Sequence, residues 1–191
     1  MHKMTEQNLI NAFSDESQAH LRYGQFADIA RDEKFPQVER LFRAIAHAEF
    51  VHAGDHYREL RLLRGGYTGT AMATFGPGST RRNLDLAIAG EDFEINEMYP
   101  AYIEIAALQK EAGALRSFQK ALGSGIRHKL LLERAREAVE AHKDFEGLGA
   151  LHVCKGCGYT AEDIPPGKCP LCDAGQEAFI GFKQKGEMPS C

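Results

Sequence analysis

The sequence predicts an all-α four-helix bundle with one long crossover, followed by a small C-terminal metal ribbon. Three observations carry that expectation. Val38, Leu41, Phe42 and Ile45 form one apolar helix face, and Glu49 continues it, with His52 three residues further on. A Gly-, Pro- and Thr-rich stretch between Arg64 and Thr80 is long enough to run from one end of a bundle to the other. Two CxxC pairs, Cys154/Cys157 and Cys169/Cys172, lie close together near the end of the chain.

The four helices can be placed in order. Leu9, Ile10, Phe13, Phe26 and Ala27 fall at helical spacing between about Thr5, a candidate N-cap, and Ala30, and Glu16 and Tyr23 share their face. The second helix starts with Pro36 in its first position and runs to about Arg64. Ser79 or Thr80 caps the third, which carries Leu84, Ala87, Ile88, Glu91, Ile95 and Met98 on one side, with Glu94 and Glu97 beside that stripe. Pro100, inside this helix, removes a backbone donor and is expected to bend or bulge it next to those carboxylates. Gly113 is expected to end the third helix near Ala112; the fourth then runs from about Ala114 to Phe145 with Leu115, Phe118, Leu122 and Leu132 inward.

A carboxylate and an imidazole on an inward face need a proton, a counter-charge or a metal. The ExxH spacing is the ligand unit of dimetal-carboxylate bundles, in which two helices each give a Glu and two each give ExxH. Glu16 precedes Glu49 by 33 residues, and Glu94 precedes position 125 by 31, with a histidine, His52 or His128, three residues after each second position. This internal repeat calls for Glu at 125, where the chain has Gly125. With Gly123 it puts two glycines into one helix, each costing about 1 kcal/mol relative to Ala.

Composition narrows the function classes. With 191 residues, 43% hydrophobic and 26% charged, the chain has the makeup of a globular protein with one core and a small appendage. Its 23 basic and 27 acidic residues argue against nucleic acid and an anionic membrane surface as partners. No apolar run is long enough to span a bilayer and the N-terminus lacks the apolar core of a signal peptide, so the expected location is cytoplasmic. In a reducing compartment, CxxC, eleven residues, CxxC is a tetrahedral metal site, open to iron or zinc. The helical bundle is expected over residues 1–146 and the ribbon over 147–191; Cys191 has no evident partner.

Taken together, Asp-Glu-Ser-Gln-Ala-His-Leu-Arg-Tyr (15–23), Ala-Glu-Phe-Val-His (48–52), Gly-Glu-Asp-Phe-Glu-Ile-Asn-Glu-Met-Tyr-Pro (90–100), Cys-Lys-Gly-Cys-Gly-Tyr and Cys-Pro-Leu-Cys resemble the rubrerythrin family over nearly the whole chain. The resemblance implies a ferritin-like di-iron bundle joined to a rubredoxin-like domain with one iron, and reduction of hydrogen peroxide to water. It implies that Glu16, Glu49, His52, Glu94, Glu97 and His128 hold the di-iron site and that Cys154, Cys157, Cys169 and Cys172 hold the single iron, with zinc the alternative. His52 and Glu97 match the pair between which an iron shifts on oxidation in the family. An external rubredoxin/NAD(P)H reductase is the implied electron donor. A homodimer or larger homo-oligomer is also implied, in which one subunit's rubredoxin-like domain approaches the other's di-iron site.

Gly125 departs from the family's bridging glutamate. Two other readings therefore stand beside the peroxidase: an iron-binding or ferroxidase protein, and a degenerate bundle with an impaired site and a structural zinc ribbon. His20, His56, Glu91, Tyr23 and Tyr102 lie near the metal-bearing faces and are read as hydrogen-bonding, ion-pairing or packing groups.

Overall fold

A computed structural model describes residues 1–60 and 65–183. Helices α1 (Lys3–Asp32) and α2 (Pro36–Leu60) form an antiparallel pair. Pro36 opens α2, and Asp144, far along the chain, accepts the free backbone N–H groups of Gln37 and Val38 at 2.9 and 3.3 Å. Whether α2 extends to Arg64 lies outside the described residues, as does Cys191. Residues 65–79 are irregular and cross the bundle against α1, where Asp15 accepts from Met72 N at 2.6 Å. A Cβ on Gly69 would stand 1.9 Å from Ser14 Oγ and 3.2 Å from the Ile10 carbonyl, so the bare glycine lets the crossing chain lie close on α1.

Ser79 caps α3 (Thr80–Phe93) by accepting from Arg82 N. A π-turn, Glu94–Met98, then joins α3 to α4 (Tyr99–Leu108). The ring of Pro100 cannot accompany a regular i to i−4 ladder, and the extra residue in the preceding turn absorbs the mismatch as expected. Helix α5 (Ala112–Glu140) completes the bundle.

Three boundaries differ from the sequence expectation; α5 stops at Glu140 rather than near Phe145, with His142 at φ 57° in the turn that follows. The first helix begins at Lys3, and Thr5 is not its cap: it is buried in the first turn, where its hydroxyl and N–H both donate to Gln109 Oε1 at 2.6 and 3.1 Å. Nor does Gly113 end a helix. Lys110, at φ 58°, makes the turn, and Gly113 lies inside α5 where a Cβ would meet Glu59 Oε2 at 1.9 Å. The Glu59 carboxylate lies over the bare glycine, a tertiary neighbour that local sequence does not reveal.

The C-terminal module is an antiparallel sheet in the order β2-β1-β3, from β1 (Leu151–Cys154), β2 (Thr160–Glu162) and β3 (Phe179–Phe182). It packs on the bundle of its own chain: Leu151 and Val153 are fully buried in one apolar cluster with Phe42 and Ile45 of α2. Arg127 and Arg134 of α5 both pair with Glu162. Among the described residues no helix is long and apolar enough to cross a membrane.

Candidate metal centre

Four helices bring their polar inward residues together between the two apolar clusters of the bundle. Two groups have metal-ligand geometry: Glu16, Glu49 and His52, and Glu49, Glu91 and His128, each with its donor atoms within 4.8 Å of one another. All five residues are at most 3% exposed. Glu49 belongs to both groups. Its Oε2 lies 2.7 Å from His52 Nδ1 and its Oε1 lies 3.1 Å from His128 Nδ1, so one carboxylate spans the two imidazoles. Glu16 Oε1 is 3.5 Å from His52 Nδ1, and Glu91 Oε1 is 3.6 Å from His128 Nδ1.

The sequence-predicted residues divide clearly. Glu16, Glu49, His52 and His128 meet, and Glu94 is half-buried on the π-turn with its carboxyl in the field of Glu16, Glu91 and Glu49. Glu97 does not join them. It is exposed and falls in neither group, because the π-turn fits an extra residue into one turn and the position three beyond Glu94 no longer overlies it. Glu91 takes the inward place instead. The signal for it was in the sequence, since Glu91 continues the stripe of Leu84, Ala87 and Ile88 itself.

Glu91 also explains Gly125. A Cβ built on Gly125 would stand 3.0 Å from Glu91 Oε2, so the carboxylate from α3 occupies the space a side chain at 125 would need. Gly123 points elsewhere: a Cβ there would meet Leu171 of the cysteine module at 2.8 Å. The two glycines of α5 thus admit two different neighbours, a carboxylate and the docked module. A bundle that lacks a carboxylate at 125 is not short of one in space, which removes the ground for reading it as degenerate.

The outward nitrogens of both histidines are held by the cysteine module. His52 Nε2 donates to the Cys157 carbonyl at 3.1 Å, and His128 Nε2 lies 3.1 Å from Thr160 Oγ1 and 3.2 Å from Ser124 Oγ. Each ring therefore turns Nδ1 toward the carboxylates, the tautomer a metal-binding imidazole needs. Gly158, at φ +78°, lets the loop approach: a Cβ there would stand 2.3 Å from His52 Nε2. The resemblance implied this approach across two subunits, whereas the structure makes it within one chain.

The electrostatics match a cation site. Burial and the Glu49 charge push Glu16 up to about 8, and burial, reinforced by Glu16 and Glu91, raises Glu94 well above the carboxylate range. Against burial, which would raise it, the His52 and His128 charges hold Glu49 low. Against burial, which would lower it, Glu49 and Glu91 raise His128 to about 9. Glu16 Oε2 and His128 Nδ1 are buried without a hydrogen-bond partner. Four carboxylates and two imidazoles balance two divalent cations and suit iron, manganese or zinc. Burial holds His56, one turn beyond His52, neutral with a value lowered to about 3.

The four cysteines form a second group. Cys154 and Cys172 sulfurs are 3.7 Å apart and those of Cys157 and Cys169 3.4 Å apart. A tetrahedron with bonds of about 2.3 Å has edges of about 3.8 Å, so the thiols are placed for one ion.

Comparison with known proteins agrees with this architecture. The rubrerythrin family profile matches residues 7–136, and that of the rubrerythrin rubredoxin-like domain matches residues 152–180. Rubrerythrin-2 of Clostridium acetobutylicum is 36% identical over 94% of this chain and 97% of its own length. Nigerythrin of Nitratidesulfovibrio vulgaris is 31% identical over 93% and 86%. The structure of nigerythrin in its fully reduced, all-ferrous state superposes with a TM-score of 0.81, covering 93% of this chain and 86% of that one. A bacterioferritin of Mycobacterium tuberculosis, 17% identical, shares the bundle fold with a TM-score of 0.65 over 74% of this chain and 89% of its own.

Proposed function

Because the chain belongs to the rubrerythrin family, we propose that it reduces hydrogen peroxide to water at a di-iron carboxylate centre, with electrons arriving through the four-cysteine centre. The observation that carries this reading is the seating of the cysteine module on the bundle. Its backbone carbonyl at Cys157 and its Thr160 hydroxyl engage the two histidines that face the shared carboxylate Glu49. A storage or ferroxidase reading needs no electron relay, so the module counts against it.

Glu16, Glu49, His52, Glu91, Glu94 and His128 would hold the bundle metals, with Glu91 joining the set that the sequence reading completed with Glu97. Cys154, Cys157, Cys169 and Cys172 would hold the single iron. Iron held by these residues would supply the two electrons that O–O cleavage requires, and iron held by the four cysteines would supply the one-electron relay. The protein's own residues do the rest. Tyr99 donates to Glu16 Oε1 and Tyr23 donates to Glu91 Oε1 at 3.4 Å, so each tyrosine steadies the carboxylate oxygen that faces a histidine of the site. Met98, Tyr99 and Phe118 close one side of the site and Tyr23, Phe42 and Ile45 the other, which keeps bulk water from the reacting oxygens.

The electron source proposed is an external rubredoxin/NAD(P)H reductase, and the setting the cytoplasm, where four thiols stay reduced. Leu21, Phe50 and Tyr57, 69%, 59% and 61% exposed on the α1–α2 face, support a homodimer or larger homo-oligomer. The test is full-length protein loaded with iron under anaerobic conditions, supplied with NADH, a rubredoxin reductase and hydrogen peroxide. One NADH consumed per peroxide, without oxygen release, is the expected result. No consumption above the reductase blank from protein holding about three irons per chain would refute the proposal.

A further inference from the structure

The bundle grips the loop between Cys154 and Cys157 at two successive carbonyls. The Cys157 carbonyl accepts from His52 Nε2 at 3.1 Å, and the Gly156 carbonyl accepts from Lys120 Nζ at 3.4 Å. The two donors stand on different helices, α2 and α5, and one acid ties them together. Asp55, three residues beyond His52 on α2, accepts from the same Lys120 Nζ at 3.2 Å. Asp55 is 8% exposed, and its other oxygen pairs with Arg58. Lys120 keeps 29% exposure and lines a polar cleft with Asp55, Glu59 and Arg116, so the ammonium avoids the full cost of burial.

Gly156 brings that charge to the sulfurs. A Cβ on Gly156 would stand 3.2 Å from Cys172 Sγ and 3.7 Å from Cys154 Sγ, so the backbone that Lys120 grips lies against two of the four cysteines. Cys154, Cys157 and Cys169 are fully buried, and there a charge acts more strongly than it would in water. Other cations near the module are placed differently. Arg127 and Arg134 both pair with Glu162 on β2. Lys155, in the loop itself, is exposed, and solvent screens it. Seating the module needs no ammonium at this point, because Leu171 against Gly123 and the buried Leu151 and Val153 already supply apolar contact.

We propose that Lys120 is a positioning residue for the electron relay: held by Asp55 on the Gly156 carbonyl, it raises the reduction potential of iron bound by the four cysteines. Reduction adds one electron, from the reductase proposed above, and takes four thiolates with one iron from a monoanion to a dianion. No bond forms or breaks and no proton moves. A fixed cation beside the sulfurs favours the more negative state. The centre then accepts an electron more readily, while the next carbonyl along the loop touches His52 of the bundle site. The inference rests on iron in the four-cysteine site of the reading above and not on peroxide turnover.

The test is a potentiometric titration of full-length, iron-loaded protein, followed by the red absorbance of the ferric four-cysteine centre. Lys120→Met should disfavour reduction about tenfold, a fall of about 59 mV for one electron. Lys120→Arg, which keeps the charge and a donor, should recover most of that loss. Glu162→Gln, which unties Arg127 and Arg134 from the module without touching the Gly156 carbonyl, should stay within about twofold of wild type in the same equilibrium. An unchanged potential in Lys120→Met would overturn the proposal, as would a Lys120→Arg potential no higher than that of Lys120→Met. An equal fall in Glu162→Gln would overturn it too, by assigning the effect to loosened seating. Four cysteines that take up no iron would refute this inference and the relay together, whereas a wild type inert to peroxide would refute the peroxidase reading alone.

Discussion

In the first half of the bundle, α1 gives Glu16 and α2 gives Glu49 and His52, each from its own helix face and at the repeat spacing the sequence announces. In the second half, α5 gives His128, but the position that should carry its carboxylate is Gly125, and Glu91 reaches across from α3 to stand there. Two nearly equivalent triads are thus assembled from different parts. A ligand count belongs to a volume of space rather than to a helix: where the backbone of α5 supplies only room, a neighbouring helix fills it. The glycine is then the device that admits Glu91.

Breaking the element common to both halves has the largest expected effect. Glu49→Gln removes the carboxylate placed between His52 and His128. Iron affinity of the bundle should fall about 100-fold or more, while the four-cysteine iron and its red colour remain. Iron per chain after equilibration with a graded chelator measures it, and full retention of bundle iron would show that Glu49 is dispensable.

A smaller effect separates the halves. Gly158→Ala puts a Cβ 2.3 Å from His52 Nε2 at a backbone φ of +78°, and so strains the first half alone. We expect a loss of about 2 kcal/mol in unfolding free energy, with electron passage from the cysteine centre slowed. Denaturant unfolding and stopped-flow reduction check both, and wild-type values would mean that the module does not sit on His52 in solution.

Gly125→Ala acts on the second half and most gently. Helix propensity favours the change by about 1 kcal/mol, but the new Cβ meets Glu91 Oε2 at 3.0 Å. Iron should bind about tenfold more weakly while the helix itself is stabilised. Gly125→Glu should displace Glu91 outright. Gain of thermal stability with unchanged iron affinity would show that Glu91 yields without consequence.

Most of the fold was legible because it is written in apolar periodicity: the stripes of α1, α2 and α5, the crossover and the cysteine spacing all stand where expected. Glu16, Glu49, His52 and His128 were legible for the same reason, as polar residues on apolar faces. What escaped depends on neighbours distant in sequence. Glu91 lay in plain view on its stripe, yet the repeat drew attention to Glu94 and the resemblance to Glu97, and only the π-turn decides that Glu97 swings out. Gly123 and Gly125 read as costs to a helix until Leu171 and Glu91 are seen against them, and Gly113 read as a helix end although it lies inside α5. Thr5 looked like a cap until Gln109 supplied one from the α4–α5 turn.

The most direct test of Glu91 as the second half's carboxylate is iron content of Glu91→Gln and Glu97→Gln beside wild type, measured on anaerobically loaded, chelator-equilibrated protein. Glu91→Gln should lose bundle iron while Glu97→Gln retains it at the wild-type level. Loss in Glu97→Gln with retention in Glu91→Gln would contradict the account.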